Sequence, residues 1–202
     1  MPKSWARERQ RDYFYRRAKE EQLRSRAAFK LSEAVERYRL IRRGDVVVDL
    51  GAAPGGWMVA ALWAVGERGF VLGVDVRSVE PFEAENSRSI IADVTEPEVV
   101  DTIRGFLPDG LADVVVSDVS PNVSGIWEVD QARQLDLARR SLYVAACVLR
   151  RGGNVFFKVF QGDMLDGFVS DMRREFRVVR FLKPKASRKT SSELFLMGFD
   201  KL

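Results

Sequence analysis

Asp45-Val46-Val47-Val48-Asp49-Leu50-Gly51-Ala52-Ala53-Pro54-Gly55-Gly56-Trp57, followed by the apolar run Met58 to Val65, is the stretch that decides the fold. A short β-branched run reads as a buried strand, the glycine-rich part as a tight turn, and the apolar run after it as a helix. Strand, turn and helix in that order form half of a βαβ unit.

Downstream the alternation repeats. Strands are predicted over Phe70 to Asp75, Ser89 to Ala92, Asp113 to Ser117 and Asn154 to Val159, and helices over Pro97 to Phe106 and Gln131 to Leu149. Val-rich strands separated by helices argue a parallel sheet covered on both faces. After a helix over Asp166 to Glu175, the runs Arg177 to Leu182 and Glu193 to Phe199 have only the loop 183–192 between them. With no room for a crossover helix, those two strands should pair antiparallel. Upstream, Phe29, Leu31, Val35, Tyr38 and Leu40 recur at helical spacing among charged residues, and Ser25 is placed to cap that helix. The expected fold is therefore α/β: a Rossmann-like, seven-stranded, mostly parallel sheet with one antiparallel C-terminal strand and helices on both faces. That is the class I methyltransferase variation on the doubly wound plan. Residues 1–43 read as a basic helical segment packed on a single domain formed by residues 44–202.

Glycines in the turn let backbone approach a ligand closely at the carboxyl end of the first strand, where open α/β sheets bind nucleosides. Pro54 removes an N–H where a dinucleotide fingerprint would hold pyrophosphate, so the turn suits a nucleoside without demanding phosphate. Asp75, ending the second strand, is placed to accept ribose hydroxyls, and Asp93, after the third, to accept the amine of an adenine. Taken singly, either acid reads equally well as a turn or cap residue.

Composition narrows the chemistry. The 202 residues include no His and one Cys, Cys147, which excludes an imidazole base, an internal disulfide and a Cys-rich zinc cluster. Cys147 itself falls on an apolar helix face and reads as core. No metal site is expected. The polar start and the brevity of the longest apolar run point to a cytoplasmic protein with no membrane association. Net charge is only +4, but residues 1–43 carry +8, residues 44–172 carry −10 and residues 173–202 carry +6. Basic ends around an acidic middle suit a polyanion-binding surface, although solvated helix faces would give the same pattern.

Four more segments stand out: Ser25 to Leu31 (SRAAFKL), Ser117 to Gly125 (SDVSPNVSG), Phe157 to Gly162 (FKVFQG) and Ser187 to Glu193 (SRKTSSE). Lys158 interrupts an apolar run at the end of a buried strand, and Asp118 closes the fourth strand beside the expected crevice. Together with VVDLGAAPGGW, in this order, these segments resemble the FtsJ/RrmJ family, the ribosomal RNA large subunit methyltransferase E group, from about Leu23 to Phe199. The resemblance implies S-adenosylmethionine-dependent methylation of a ribose 2′-hydroxyl, typically of uridine, in 23S-type rRNA or the assembled large subunit. It implies a catalytic tetrad of Lys30, Asp118, Lys158 and Glu193, with Lys158 as proton acceptor, and cofactor contacts at Gly51, Gly55, Trp57, Asp75, Asp93 and Asp118. Lysine accepts a proton only when neutral, so the balance of Asp118 and Glu193 against Lys30 and a cationic sulfonium decides that role.

A tetrad drawn from both basic ends requires those ends to converge on the crevice. Arg24, Arg26, Lys183, Lys185, Arg188 and Lys189 are then the phosphate-contact candidates, with Tyr13, Phe14 and Tyr15 as stacking groups or as helix packing. A monomer is expected. The competing readings are a tRNA anticodon-loop 2′-O-methyltransferase, a NAD-dependent oxidoreductase and a noncatalytic ribosome-assembly module.

Overall fold

The computed structural model describes residues 24–188 and 191–202. Within them the chain runs α1 (Ala28–Tyr38), β1 (Val46–Leu50), α2 (Gly56–Val65), β2 (Phe70–Asp75), β3 (Ser87–Ile91), α3 (Val99–Phe106), β4 (Ala112–Ser117), α4 (Trp127–Val148), β5 (Leu149–Phe160), α5 (Leu165–Glu175), β6 (Phe176–Leu182) and β7 (Glu193–Lys201). The strands form one seven-stranded sheet in the order β3-β2-β1-β4-β5-β7-β6. β7 runs antiparallel to both β5 and β6, and every other pairing is parallel. The expected fold, including its one reversed strand, is the observed one. Because β2 and β3 lie to one side of β1 and β4 to the other, the order reverses at β1/β4, and a crevice opens there at the carboxyl ends of the strands.

Alternate strand residues face opposite layers. Val48, Leu72, Val115, Val155 and Phe157 meet α3, α4 and α5, whereas Val47, Val71, Val114, Phe156 and Phe195 meet α1 and α2. Leu31 and Ala34 bury the inner face of α1 against that second layer, so the basic N-terminal helix packs on the sheet beside α2. Each fully buried Leu, Val or Phe contributes about 1.5–3 kcal/mol of transfer free energy. No helix among the described residues is long and apolar enough to cross a membrane.

The main departures from the sequence reading are two element starts and one cap, while other ends move by one or two residues. α4 starts at Trp127, a turn before Gln131, because Glu128 and Asp130 favour the positive end of the helix dipole in its first turn. β5 extends back to Leu149 through the glycine pair, with a register break against β4 between Ala112 and Val114. Ser25 does not cap α1: its hydroxyl accepts the Ala27 N–H at 3.2 Å, ahead of the helix, which has no side-chain cap. Cys147 packs partly buried against the core.

Candidate active site

The glycine turn lies where the crevice opens. Gly51 has φ +78°, and a Cβ there would lie 2.9 Å from the Val119 main-chain nitrogen, so glycine is required both by conformation and by the close approach of the β4 loop. Gly55, φ +105°, precedes α2, whose first turn has no side-chain cap, leaving amide donors at the crevice. Trp57 is turned away from that crevice. Its indole N–H donates to the Ala27 carbonyl at 2.8 Å and its ring packs on Phe156 and Phe195, so only its main chain is left for a cofactor.

Asp75 is buried beneath the turn. One carboxylate oxygen accepts the Ala53 N–H at 2.9 Å; the other accepts the Arg77 N–H at 2.9 Å and faces its guanidinium at 3.4 Å. A carboxylate has about four acceptor positions, so these bonds shape the turn and leave capacity for a ligand. Asp93 accepts the Thr95 N–H and hydroxyl, both at 2.8 Å on one oxygen, and those bonds hold its carboxyl below the ordinary aspartate range.

Asp49 has no role in the sequence reading beyond heading the glycine-turn motif. It is fully buried at the carboxyl end of β1, paired with Gly73 and Val116 on the flanking strands. Burial drives its carboxyl well above the ordinary value, and the negative charges of Asp118 and Asp75 add to the shift. The Met58 N–H offsets only part of this, and neither oxygen closes a well-formed hydrogen bond. A raised folded-state pKa means that stability is lost as pH rises above 3.8, where the unfolded chain ionises and the folded one resists. Asp49→Asn should therefore melt above wild type at pH 7–8, with the difference closing below about pH 4. Melting curves across that range check this, and a pH-independent difference would rule it out.

The four tetrad candidates come together as two ion pairs. Lys30 Nζ reaches both Glu193 oxygens at 2.6 and 2.7 Å, across 163 residues of sequence. Lys158 Nζ donates to the Asp118 carbonyl at 2.7 Å and lies 2.8 Å from its Oδ1. Burial pushes the Glu193 carboxyl up, but the charge and hydrogen bonds of Lys30, the charge of Lys158 and the Ser187 hydroxyl outweigh it, and the net shift is downward. Register places Lys158 opposite Phe195 and Phe160 opposite Glu193, so both pairs share one face of the β5/β7 ribbon. Glu193 thus positions Lys30. Because Glu193 neutralises Lys30 directly, little of the Lys30 charge is left to act on Lys158.

Gln134, a further residue that sequence reasoning missed, holds this arrangement in register. Buried on α4, it donates to the Val119 carbonyl at 3.1 Å and the Lys158 carbonyl at 3.0 Å, joining the β4 loop to the end of β5. Gln134→Leu should cost about 1–3 kcal/mol through two unpaired carbonyls. It should also lower kcat about tenfold or more at unchanged methyl-donor KM, since a small displacement of a reacting group is costly. Steady-state kinetics with a melting curve check both parts.

The basic residues divide. Arg24 is committed to the Glu80 and Pro81 carbonyls and stacks on Phe82 at 3.6 Å, and Lys183 donates to the Ser191 and Glu193 carbonyls. The Lys185 side chain is exposed, while its N–H is held by Glu33 of α1 at 2.8 Å. Tyr13, Phe14, Tyr15 and Lys189 lie outside the described residues.

The reversed strand and the glycine turn at the switch point give the class I methyltransferase fold. Solved structures agree on the fold. A chain described as a ribosomal RNA methyltransferase from Plasmodium falciparum aligns with a TM-score of 0.77 at 23% identity, over 89% of this chain and 98% of that one. A SAM-dependent O-methyltransferase from Thermotoga maritima aligns with a TM-score of 0.56 at 12% identity, over 86% and 64%. The chain belongs to the FtsJ-like methyltransferase family, whose model matches residues 23–201. It is 48% identical to the ribosomal RNA large subunit methyltransferase E of Methanothermobacter thermautotrophicus, over 99% of this chain and 94% of that protein. It is 44% identical to the protein of the same name from Methanocaldococcus jannaschii, over 97% and 81%. Membership of that family makes the chain a methyltransferase.

Proposed function

We propose that the protein methylates a ribose 2′-hydroxyl, that of a uridine, in 23S-type large-subunit rRNA, acting in the cytoplasm as a monomer on the RNA or the assembled subunit. The observation that carries this reading is the convergence of Lys158–Asp118 and Lys30–Glu193 beside the carboxylate-rich turn. The relatives' printed name supplies the substrate class.

Asp49, Asp75 and Asp118 are electrostatically coupled around the turn. The Asp75 and Asp118 carboxylates suit a cationic ligand and oppose the pyrophosphate of a nicotinamide dinucleotide, while Asp49, whose burial resists ionisation, adds little charge. S-adenosylmethionine, when bound, supplies an electrophilic methyl group on a sulfonium. Gly51, Gly55 and the Trp57 main chain would allow its close approach, Asp75 would accept the ribose hydroxyls and Asp93 the adenine amine, and Asp118 would hold the methionine portion. Lys158, anchored by the Asp118 carbonyl, orients the RNA hydroxyl and is the group placed to accept its proton; Lys30 holds the substrate, itself held by Glu193. The chain has no His, so in this reading the proton-acceptor role falls to a lysine.

Mapping 2′-O-methyl groups on large-subunit rRNA and on tRNA from cells with and without the protein tests this. Loss of one rRNA mark, restored by wild type and not by Lys158→Ala, is expected. Intact rRNA marks with a missing tRNA mark would overturn the substrate assignment.

A further inference from the structure

Beside the paired lysines, the carboxyl edge carries an exposed apolar rim with no role in the chemistry described above. Trp127, in the first turn of α4, stacks on Phe160 with ring centroids 5.8 Å apart and planes 26° from parallel, yet remains 43% exposed. Ile126, beside it in the chain, and Val123 and Met164, on the segments that leave the carboxyl ends of β4 and β5, are also exposed. Apolar side chains gathered at a site mouth, rather than scattered singly over the surface, mark a place where something docks.

The rim is held rigidly. Asp130 accepts the Ser124 N–H at 2.6 Å, the Ser124 hydroxyl at 2.8 Å and the Gly125 N–H at 3.0 Å, which fixes the loop leading to Trp127. Gly162, following β5, lies so close to Gln131 that a Cβ there would come within 1.8 Å of the amide nitrogen. Trp127, Asp130, Gln131 and Gln134 follow helical spacing and share one side of α4. The same helix face that sets Lys158 through Gln134 therefore also sets the indole.

Resting on the reading that Lys158 receives a ribose hydroxyl, we infer that Trp127, backed by Phe160, is a stacking platform for a nucleobase of the RNA, at the target nucleotide or its neighbour. Phe160 lies two residues beyond Lys158 on β5, about 7 Å along a strand. That matches the reach from a ribose hydroxyl to its own or an adjacent base. An indole backed by a phenyl ring presents a flat, apolar, preorganised surface, which suits a base plane of any identity. A nucleotide splayed out of a loop also exposes its base face, and an unstacked base gains most from such a surface.

Fluorescence anisotropy with two probes tests this: a twelve-nucleotide oligouridylate and an abasic ribose-phosphate chain of the same length. Wild type should prefer the oligouridylate, Trp127→Ala should lose about 5- to 150-fold of that affinity and bind both probes alike, and Trp127→Phe should retain most of the preference. With large-subunit rRNA, Trp127→Ala should raise the RNA KM more than it lowers kcat, at unchanged S-adenosylmethionine affinity and melting temperature. A base preference that survives Trp127→Ala overturns the platform. So does a defect of that variant confined to assembled subunits, which would assign the rim to a protein contact. A wild type that stacks oligouridylate through Trp127 but methylates no rRNA would instead count against the proposed substrate and leave the platform standing.

Discussion

Lys158→Ala is expected to slow single-turnover methyl transfer to bound RNA by about 10²- to 10⁴-fold, the usual worth of positioned proton transfer. Affinities for RNA and methyl donor should change far less, because the side chain is directed at one hydroxyl and not at a phosphate track. The variant should still fold. Its lost partner, Asp118, keeps 24% side-chain exposure, so water replaces the ammonium around the carboxylate. Lys158→Arg is the sharper comparison. A guanidinium keeps the positive charge and can still reach an acceptor, but it does not release its proton in proteins. If the lysine accepts the hydroxyl proton, arginine should be nearly as slow as alanine. An arginine variant within a few fold of wild type would reduce Lys158 to an electrostatic positioning group.

What the sequence disclosed about this site follows a physical rule. Lys158 was legible because a charge inside VFFKVF contradicts its surroundings, and such contradictions mark function. Asp49 carries the same signature inside VVVDL, but the adjacent glycine turn accounted for the whole segment and the buried carboxyl passed as part of it. Gln134 and Trp127 had no local signal. A glutamine on a helix is ordinary until its carbonyl partners arrive from two other segments, and Trp127 preceded the predicted start of α4. The parallel strands and the reversed β7 were legible because alternation and loop length are local, whereas the register break in β5 depends on its neighbour β4. The pairing within the tetrad was likewise tertiary: Glu193 follows a basic loop in sequence, yet takes a lysine from α1.

That pairing leads to the second large effect, on stability as well as rate. Glu193→Gln should lower the melting temperature at pH 7 by about 6–12 °C, from a loss near the lower end of about 3–5 kcal/mol for breaking a buried pair and the usual shift of about 2–4 °C per kcal/mol. The cost arises because Lys30, with only 7% of its side chain exposed, is left without a counter-charge, and because one of the two hydrogen bonds joining α1 to β7 loses its acceptor. The contribution has a defined pH dependence. Glu193 titrates below its ordinary 4.5, so its stabilisation is complete above that value and is lost as pH falls through the folded-state pKa. Wild type and Glu193→Gln should therefore converge in acid, as wild type and Asp49→Asn should, but at neutral pH the two substitutions move the melting temperature in opposite directions. The double variant Lys30→Met, Glu193→Leu separates structure from chemistry. An apolar pair of similar volume beside Phe195 should recover most of the lost stability, since replacing a buried ion pair whole is far cheaper than halving it. Methyl transfer should stay low in that variant, because restored packing returns neither the ammonium nor the carboxylate to the site. Recovery of activity together with stability would show that this pair serves only to fasten the two ends of the chain.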